Sequence, residues 1–276
     1  MEPNSEIRLL VLDIDGTIAG ESNMIREPVK QAVKAAQAQG VQVAIATGRM
    51  YQSALRFHQD LGADLPLMTY QGALIKNPQT GEILRHWRVP RQQAVELLDF
   101  YEQPAWREAL SVHFYIDDQL YVRSYSSDTK GYASRSGIQA IPVGDLRQTE
   151  QEPTKVLALG RDPDLMDRLY LALRDRYGWD ELYLTKSVPT FVEATHPQVN
   201  KGTAVRYLAE ECLGLQAAQV MAIGDNFNDL EMLDYAGIGV AMGDAPEPVQ
   251  AAATWVAPSV EEDGAAIAIE KFLLNR

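Results

Sequence analysis

The chain has 276 residues, 46% of them hydrophobic and 23% charged, with 25 Lys and Arg against 38 Asp and Glu for a net charge of −13. That length fits one large domain or two small ones around a sizeable core, and the acidity argues against nucleic acid or an anionic membrane as a partner. The apolar run Leu9–Leu12 is far too short to cross a bilayer, the start Met1–Glu6 is acidic and polar where a signal peptide is basic and apolar, and one cysteine, Cys212, cannot form an internal disulfide. A reduced, cytoplasmic setting is expected.

Branched apolar residues over 7–14 predict a strand buried on both faces, as the centre of a parallel sheet requires. Pro28 then opens a helix with Val29, Ala32, Val33 and Ala36 on one stripe and Gly40 as its stop. Residues 41–46 read as a second strand and 53–61, closed by Gly62, as a second helix. This alternation with short connections predicts an α/β fold: a doubly wound, Rossmann-like parallel sheet.

The middle of the chain reads differently. Strand 83–89, helix 91–102, strands 110–116 and 119–124 and a helix near 128–136 come first, then strand 154–160, helix 163–177 and strands 182–187 and 190–194. The segment Tyr115–Leu120 has the form of a tight hairpin, which a purely parallel sheet does not contain. Residues 83–195 are therefore expected to be an α+β module inserted into a core made of 1–82 and 196–276. In the second half of that core, helix 201–213 follows Asn200 as its cap and carries Val205, Leu208, Ala209, Cys212 and Leu213 on one stripe, so Cys212 is expected to be a core residue. Strand 220–223, helix 230–236, strand 238–242 and helix 265–274 complete the pattern. Residues 83–195 carry 14 basic and 17 acidic side chains, whereas the remainder has 11 and 21. A core that acidic needs a cation in order to bind an anion.

The chemistry-bearing residues fall at predicted strand ends. In Asp13-Ile14-Asp15-Gly16-Thr17 the two carboxylates, two residues apart on an extended chain, face one spot. That spot is the carboxyl edge of an open α/β sheet, where ligands bind. Paired carboxylates repel unless a proton or a cation intervenes, and Mg²⁺ suits a site that also holds phosphate. A calcium loop is excluded, because Ile18 and Met24 occupy its Gly and Glu positions. Thr47 and Gly48 precede a helix and offer a hydroxyl and backbone N–H groups to phosphate oxygens, although Thr47 also suits a helix cap. Lys201 at a helix N-terminus opposes the macrodipole and is easier to understand if it points at an anion, although it also reads as a snorkelling surface lysine. Gly224-Asp225-Asn226-Phe227-Asn228-Asp229 delivers two more carboxylates to the same edge, Asp225 to complete a metal site with Asp13 and Asp229 to orient a water or the lysine. Gly237–Met242 misses the dinucleotide fingerprint at Met242, and no Gly-rich Lys-Ser/Thr phosphate loop occurs. His58, His86, His113 and His196 lack metal-ligand spacing.

In this combination the sequence resembles the haloacid dehalogenase-like hydrolases, specifically the Cof-type phosphatases with a large inserted cap. The resemblance rests on Asp13–Thr17, Thr47-Gly48-Arg49, Lys201-Gly202, Gly224–Asp229 and the tail Ala236–Ala245. Two positions depart from the customary pattern, Asp244 and Gln71, each standing where Asn is usual. The resemblance implies Asp13 as nucleophile forming an aspartyl-phosphate and Asp15 as general acid and base. It implies Mg²⁺ on Asp13, the Asp15 carbonyl and Asp225, with Asp229 behind them. Thr47, Gly48, Arg49, Lys201 and Asn228 would hold the phosphoryl group, and the inserted module would serve as a lid that reads the rest of a small phosphorylated metabolite, a sugar phosphate or similar. A monomer or homodimer is expected. A phosphomutase would share this chemistry but return the phosphoryl group to its substrate. A signalling receiver uses a similar acidic cluster, Thr and Lys, but in about a hundred residues without an insertion.

Overall fold

A computed structural model describes residues 6–274, so the acidic start at Met1–Ser5 lies outside the described residues. The chain folds into two compact units. One takes in the chain up to Gly48, Ala54–Leu84 and the chain from Asn200 onward; the other takes in Arg49–Ser53 and Arg85–Val199.

The first unit begins with β1 (Leu9–Leu12), every residue of which is buried. Helix α1 (Glu27–Ala38) has a proline in its first turn and buries Val29, Ala32, Val33 and Ala36, the stripe its spacing dictates. Then come β2 (Gln42–Ile45), α2 (Tyr51–Leu61) and the antiparallel pair β3 (Leu67–Thr69) and β4 (Leu74–Lys76).

β5 (Ile83–His86) runs across the boundary into the second unit. There α3 (Arg91–Tyr101), β6 (Ser111–Ile116), β7 (Gln119–Val122), α4 (Ser127–Ser136) and β8 (Ala140–Pro142) are followed by β9 (Lys155–Leu159), α5 (Pro163–Arg176), β10 (Tyr183–Thr185) and β11 (Phe191–Thr195). Six of these strands form one sheet in the order β10-β11-β9-β6-β7-β8, antiparallel except for β7 and β8. The β6–β7 hairpin turns at Asp117 and Asp118, both left-handed at φ +47° and +60°, as a two-residue turn of this kind requires. Leu97, Phe114, Val156, Leu169 and Leu173 lie in its core.

The chain returns to the first unit with α6 (Lys201–Arg206), which widens into a π-helical turn at Tyr207–Cys212. β12 (Val220–Gly224), α7 (Leu230–Tyr235), β13 (Ile238–Ala241), α8 (Glu247–Ala252), β14 (Trp255–Val256) and α9 (Gly264–Ile269) follow. The sheet order is β14-β13-β12-β1-β2 with every neighbour parallel, the expected Rossmann-like layer. One expectation is corrected here. Cys212 is exposed, because the wider turn rotates the end of the helix while Val205, Leu208 and Ala209 stay buried. Among the described residues no helix is long and apolar enough to cross a membrane.

Candidate active site

β1 and β12 are parallel neighbours in register, Leu12 opposite Ile223, and the Asp13 N–H donates to the Ile223 carbonyl at 3.1 Å. The loops that follow them therefore leave the sheet side by side and carry Asp13 and Asp225 to one place. Gly16 makes that approach possible. Its φ is +79°, and a Cβ there would stand 2.3 Å from Asp225 Oδ2. Thr17 Oγ1 donates to Asp225 Oδ1 at 3.1 Å, a contact that the spacing of the motif alone did not reveal.

Lys201 is the first residue of α6, placed by a capping box in which Asn200 Oδ1 accepts the Thr203 N–H at 2.7 Å. Its side chain has no exposed surface, and Nζ donates to Asp13 Oδ1 at 2.6 Å and to Asp229 Oδ1 at 2.5 Å. The other Asp229 oxygen accepts the N–H groups of Asp225 and Asn226 at 2.9 and 3.0 Å. Asp229 thus clamps the lysine to the β12 loop. One carboxylate oxygen each from Asp13, Asp225 and Asp229 lies within 4.8 Å of the other two.

The remaining predicted residues fall as follows. Thr47, buried beyond the end of β2, donates its N–H to Met68 O at 2.9 Å and accepts the Gln71 N–H at 3.0 Å. Asn228 Nδ2 donates to Gln71 Oε1 at 3.1 Å, which brings the second and fourth motifs together through a residue that the sequence marked only as a departure. Asp15 is half-buried, and its charge helps to raise the pKa of Asp13. Arg49 belongs to the second unit, where its Nη1 lies 3.4 Å from Ser53 Oγ.

Charge at this site does not balance. Three carboxylates face one ammonium, an excess of two negative charges if all ionise. Burial pushes the Asp13 carboxyl up to about 7, opposed by Lys201 and reinforced by Asp229 and Asp15. Burial likewise raises Asp225 well above the ordinary range, with Asp13 and Asp229 adding to it. Lys201 moves upward too: burial disfavours its charge, but Asp13 and Asp229 together outweigh that and keep the ammonium protonated. The upward shift of the lysine and the upward shift of its partner pull the Lys201–Asp13 pair in opposite senses. The charged lysine is the firmer of the two, since a second carboxylate holds it. The acids are raised first by burial and then by neighbouring carboxylates, and a divalent cation matches the excess of two.

The sequence profile of the haloacid dehalogenase-like hydrolases matches residues 10–269. The chain belongs to that family. The YxeH protein of Bacillus subtilis strain 168 is 31% identical to it, over 98% of this chain and 99% of the relative. The 5-amino-6-(5-phospho-D-ribitylamino)uracil phosphatase YitU of the same strain is 26% identical over 96% of this chain and 97% of its own length. A crystal structure of a haloacid dehalogenase-like hydrolase from Bacteroides thetaiotaomicron superposes with a TM-score of 0.82 at 26% identity, covering 96% of this chain and 99% of the other. Within the family this chain is a phosphatase of the Cof type.

Proposed function

We propose that this phosphatase is a Mg²⁺-dependent hydrolase of small phosphorylated metabolites, sugar phosphates or chemically similar esters, acting through an aspartyl-phosphate on Asp13. The reading is carried by the cluster of buried Asp13, half-buried Asp225 and buried Asp229, two of them paired with one lysine; its unbalanced charge fits a divalent cation and an anionic substrate. Asp13, the Asp15 carbonyl and Asp225 would hold the ion, with Asp229 behind them because both its oxygens are already engaged. When bound, the ion offsets the repulsion between a carboxylate and an anionic ester.

The chain's own residues supply the rest. Lys201 fixes one Asp13 oxygen and so orients the carboxylate. Attack by Asp13 on phosphorus breaks the bond to the ester oxygen, which departs as an alcohol with a proton from Asp15. Asp15 then accepts a proton from the water that cleaves the acyl phosphate, releasing inorganic phosphate and restoring Asp13. Thr47, the Gly48 N–H, Lys201 and Asn228 hold the phosphoryl oxygens in this reading. The division of labour belongs to the same proposal: 1–82 with 196–276 as catalytic core and 83–195 as cap. So do a cytoplasmic location and a monomeric or homodimeric state. The relative YitU, whose name gives a phosphorylated ribitylamino compound as substrate, supports a small polyol-like ester.

The test is phosphate release from p-nitrophenyl phosphate and from a panel of sugar phosphates, with Mg²⁺ and with EDTA. Turnover is expected with the ion and not with the chelator, and Asp13→Asn is expected to lower kcat by more than a thousandfold without loss of fold. Near-normal turnover in that variant removes Asp13 as nucleophile.

A further inference from the structure

Resting on that reading, we propose that Gln71 is a positioning residue for the phosphoryl-binding loop, acting through Asn228. The turn from β3 to β4 places two successive non-glycine residues, Tyr70 and Gln71, in the left-handed region at φ +54° and +63°. Each such residue costs about 1–2 kcal/mol relative to ordinary backbone, and both are fully buried. A strained, buried glutamine persists only when its surroundings hold it.

Those surroundings are the second and fourth motifs. The Gln71 N–H donates to the Thr47 carbonyl at 3.0 Å, and the Thr47 N–H donates to Met68 at 2.9 Å, so the Thr47 backbone is pinned from both sides by this turn. The carboxamide passes close over Gly48, where a Cβ would stand 2.4 Å from Gln71 Nε2. Its Oε1 accepts Asn228 Nδ2 at 3.1 Å. Asn228 is only 4% exposed, and its Oδ1 is buried without a hydrogen-bond partner among the described residues. A buried acceptor left open in this way costs stability unless a donor arrives, and a bound water or substrate hydroxyl beside the phosphoryl group supplies one. Gln71 thus sets the direction in which Asn228 points and ties it to Thr47 and Gly48. Asparagine at position 71 adopts the left-handed conformation more readily than glutamine, but it is one methylene shorter and falls short of Asn228. The glutamine is therefore matched to this partner.

The experiment is a double-mutant cycle in kcat and KM on p-nitrophenyl phosphate with Mg²⁺, using Gln71→Met, which keeps length and apolar volume, Asn228→Ala, and the double variant. Far-UV circular dichroism and melting temperature monitor the fold, and Gln71→Asn serves as a second variant with an easier backbone. Gln71→Met and Gln71→Asn are each expected to lower kcat by about tenfold with less than a threefold change in KM. The double variant is expected to be no slower than Asn228→Ala alone, since both changes break one link. A parent chain that releases no phosphate overturns the proposed function and this inference together. With an active parent, Gln71 variants within twofold of parental kcat, or losses that multiply in the double variant, overturn the inference alone.

Discussion

Lys201 is an ammonium without solvent, and Asp229 shares with Asp13 the task of holding its charge. Asp229 accepts Lys201 Nζ on one oxygen and two backbone N–H groups on the other, so these three partners are all donors. Asp229→Asn replaces one of those acceptors by an NH₂ group, which opposes a donor whichever way the amide turns. The variant is expected to lose about 1–3 kcal/mol in urea unfolding and at least a hundredfold in kcat, because Lys201 no longer holds Asp13. Equal kcat in parent and variant would remove the clamp. At this scale the meeting of Asp13, Lys201, Asp225 and Asp229 in the candidate site was legible in sequence, because they stand at or just beyond the ends of apolar strands or at the start of a helix. What spacing could not convey is pairing. The bond from Thr17 to Asp225 and the bridge from Asn228 to Gln71 join residues 208 and 157 positions apart. The glutamine carried one faint signal, its standing where the family pattern has Asn.

Among the elements, the position of Lys201 depends on how closely α6 approaches α7. Gly202 makes that approach possible: a Cβ there would lie 2.4 Å from the Glu231 carbonyl oxygen, which as backbone cannot swing aside. Gly202→Ala is expected to force the helices apart, lowering stability by about 1–3 kcal/mol as overpacked cores do. It should also lower kcat, since the neighbouring lysine moves with the helix. Thermal melts and steady-state kinetics on the same preparation would check both, and an unchanged melting temperature would refute the packing argument. The helices α1 and α5 were legible because burial of one face imposes a period on their residues, and the strands β1 and β12 because burial on both faces leaves an unbroken apolar run. Several short ones were not. β8, α8 and β14 are three, six and two residues long, too few to show a period. The π-helical turn at Tyr207–Cys212 escaped for a related reason, since the apolar stripe reads as one unbroken α-helix and only the exposure of Cys212 betrays the change.

At the scale of the whole molecule, acid is expected to act on the second unit through its buried histidines. In the unit that holds Arg85–Val199, His113 is fully buried on β6, bonded through Nε2 to Thr129 Oγ1 of α4 at 3.0 Å, with Tyr115 and Tyr132 edge-on to its ring. Burial, and then the Lys155 ammonium of β9, push its pKa down to about 3, whereas the unfolded chain keeps the ordinary 6.5. Between those values the unfolded state binds the extra proton and the folded state does not, so stability rises with pH across that window. The contribution of His113 is complete above pH 6.5 and is lost as the pH falls toward 3, at about 1.4 kcal/mol per pH unit. His86, bonded to Thr154 and lowered to about 4 chiefly by its burial, acts in the same direction. Replacing His113 by Gln keeps a hydrogen-bonding group toward Thr129 but removes the titration. Urea unfolding from pH 7 to pH 4 is therefore expected to show a shallower loss of stability for His113→Gln than for the parent, whatever the offset at pH 7. Parallel curves would mean that His113 does not carry the acid sensitivity of this unit.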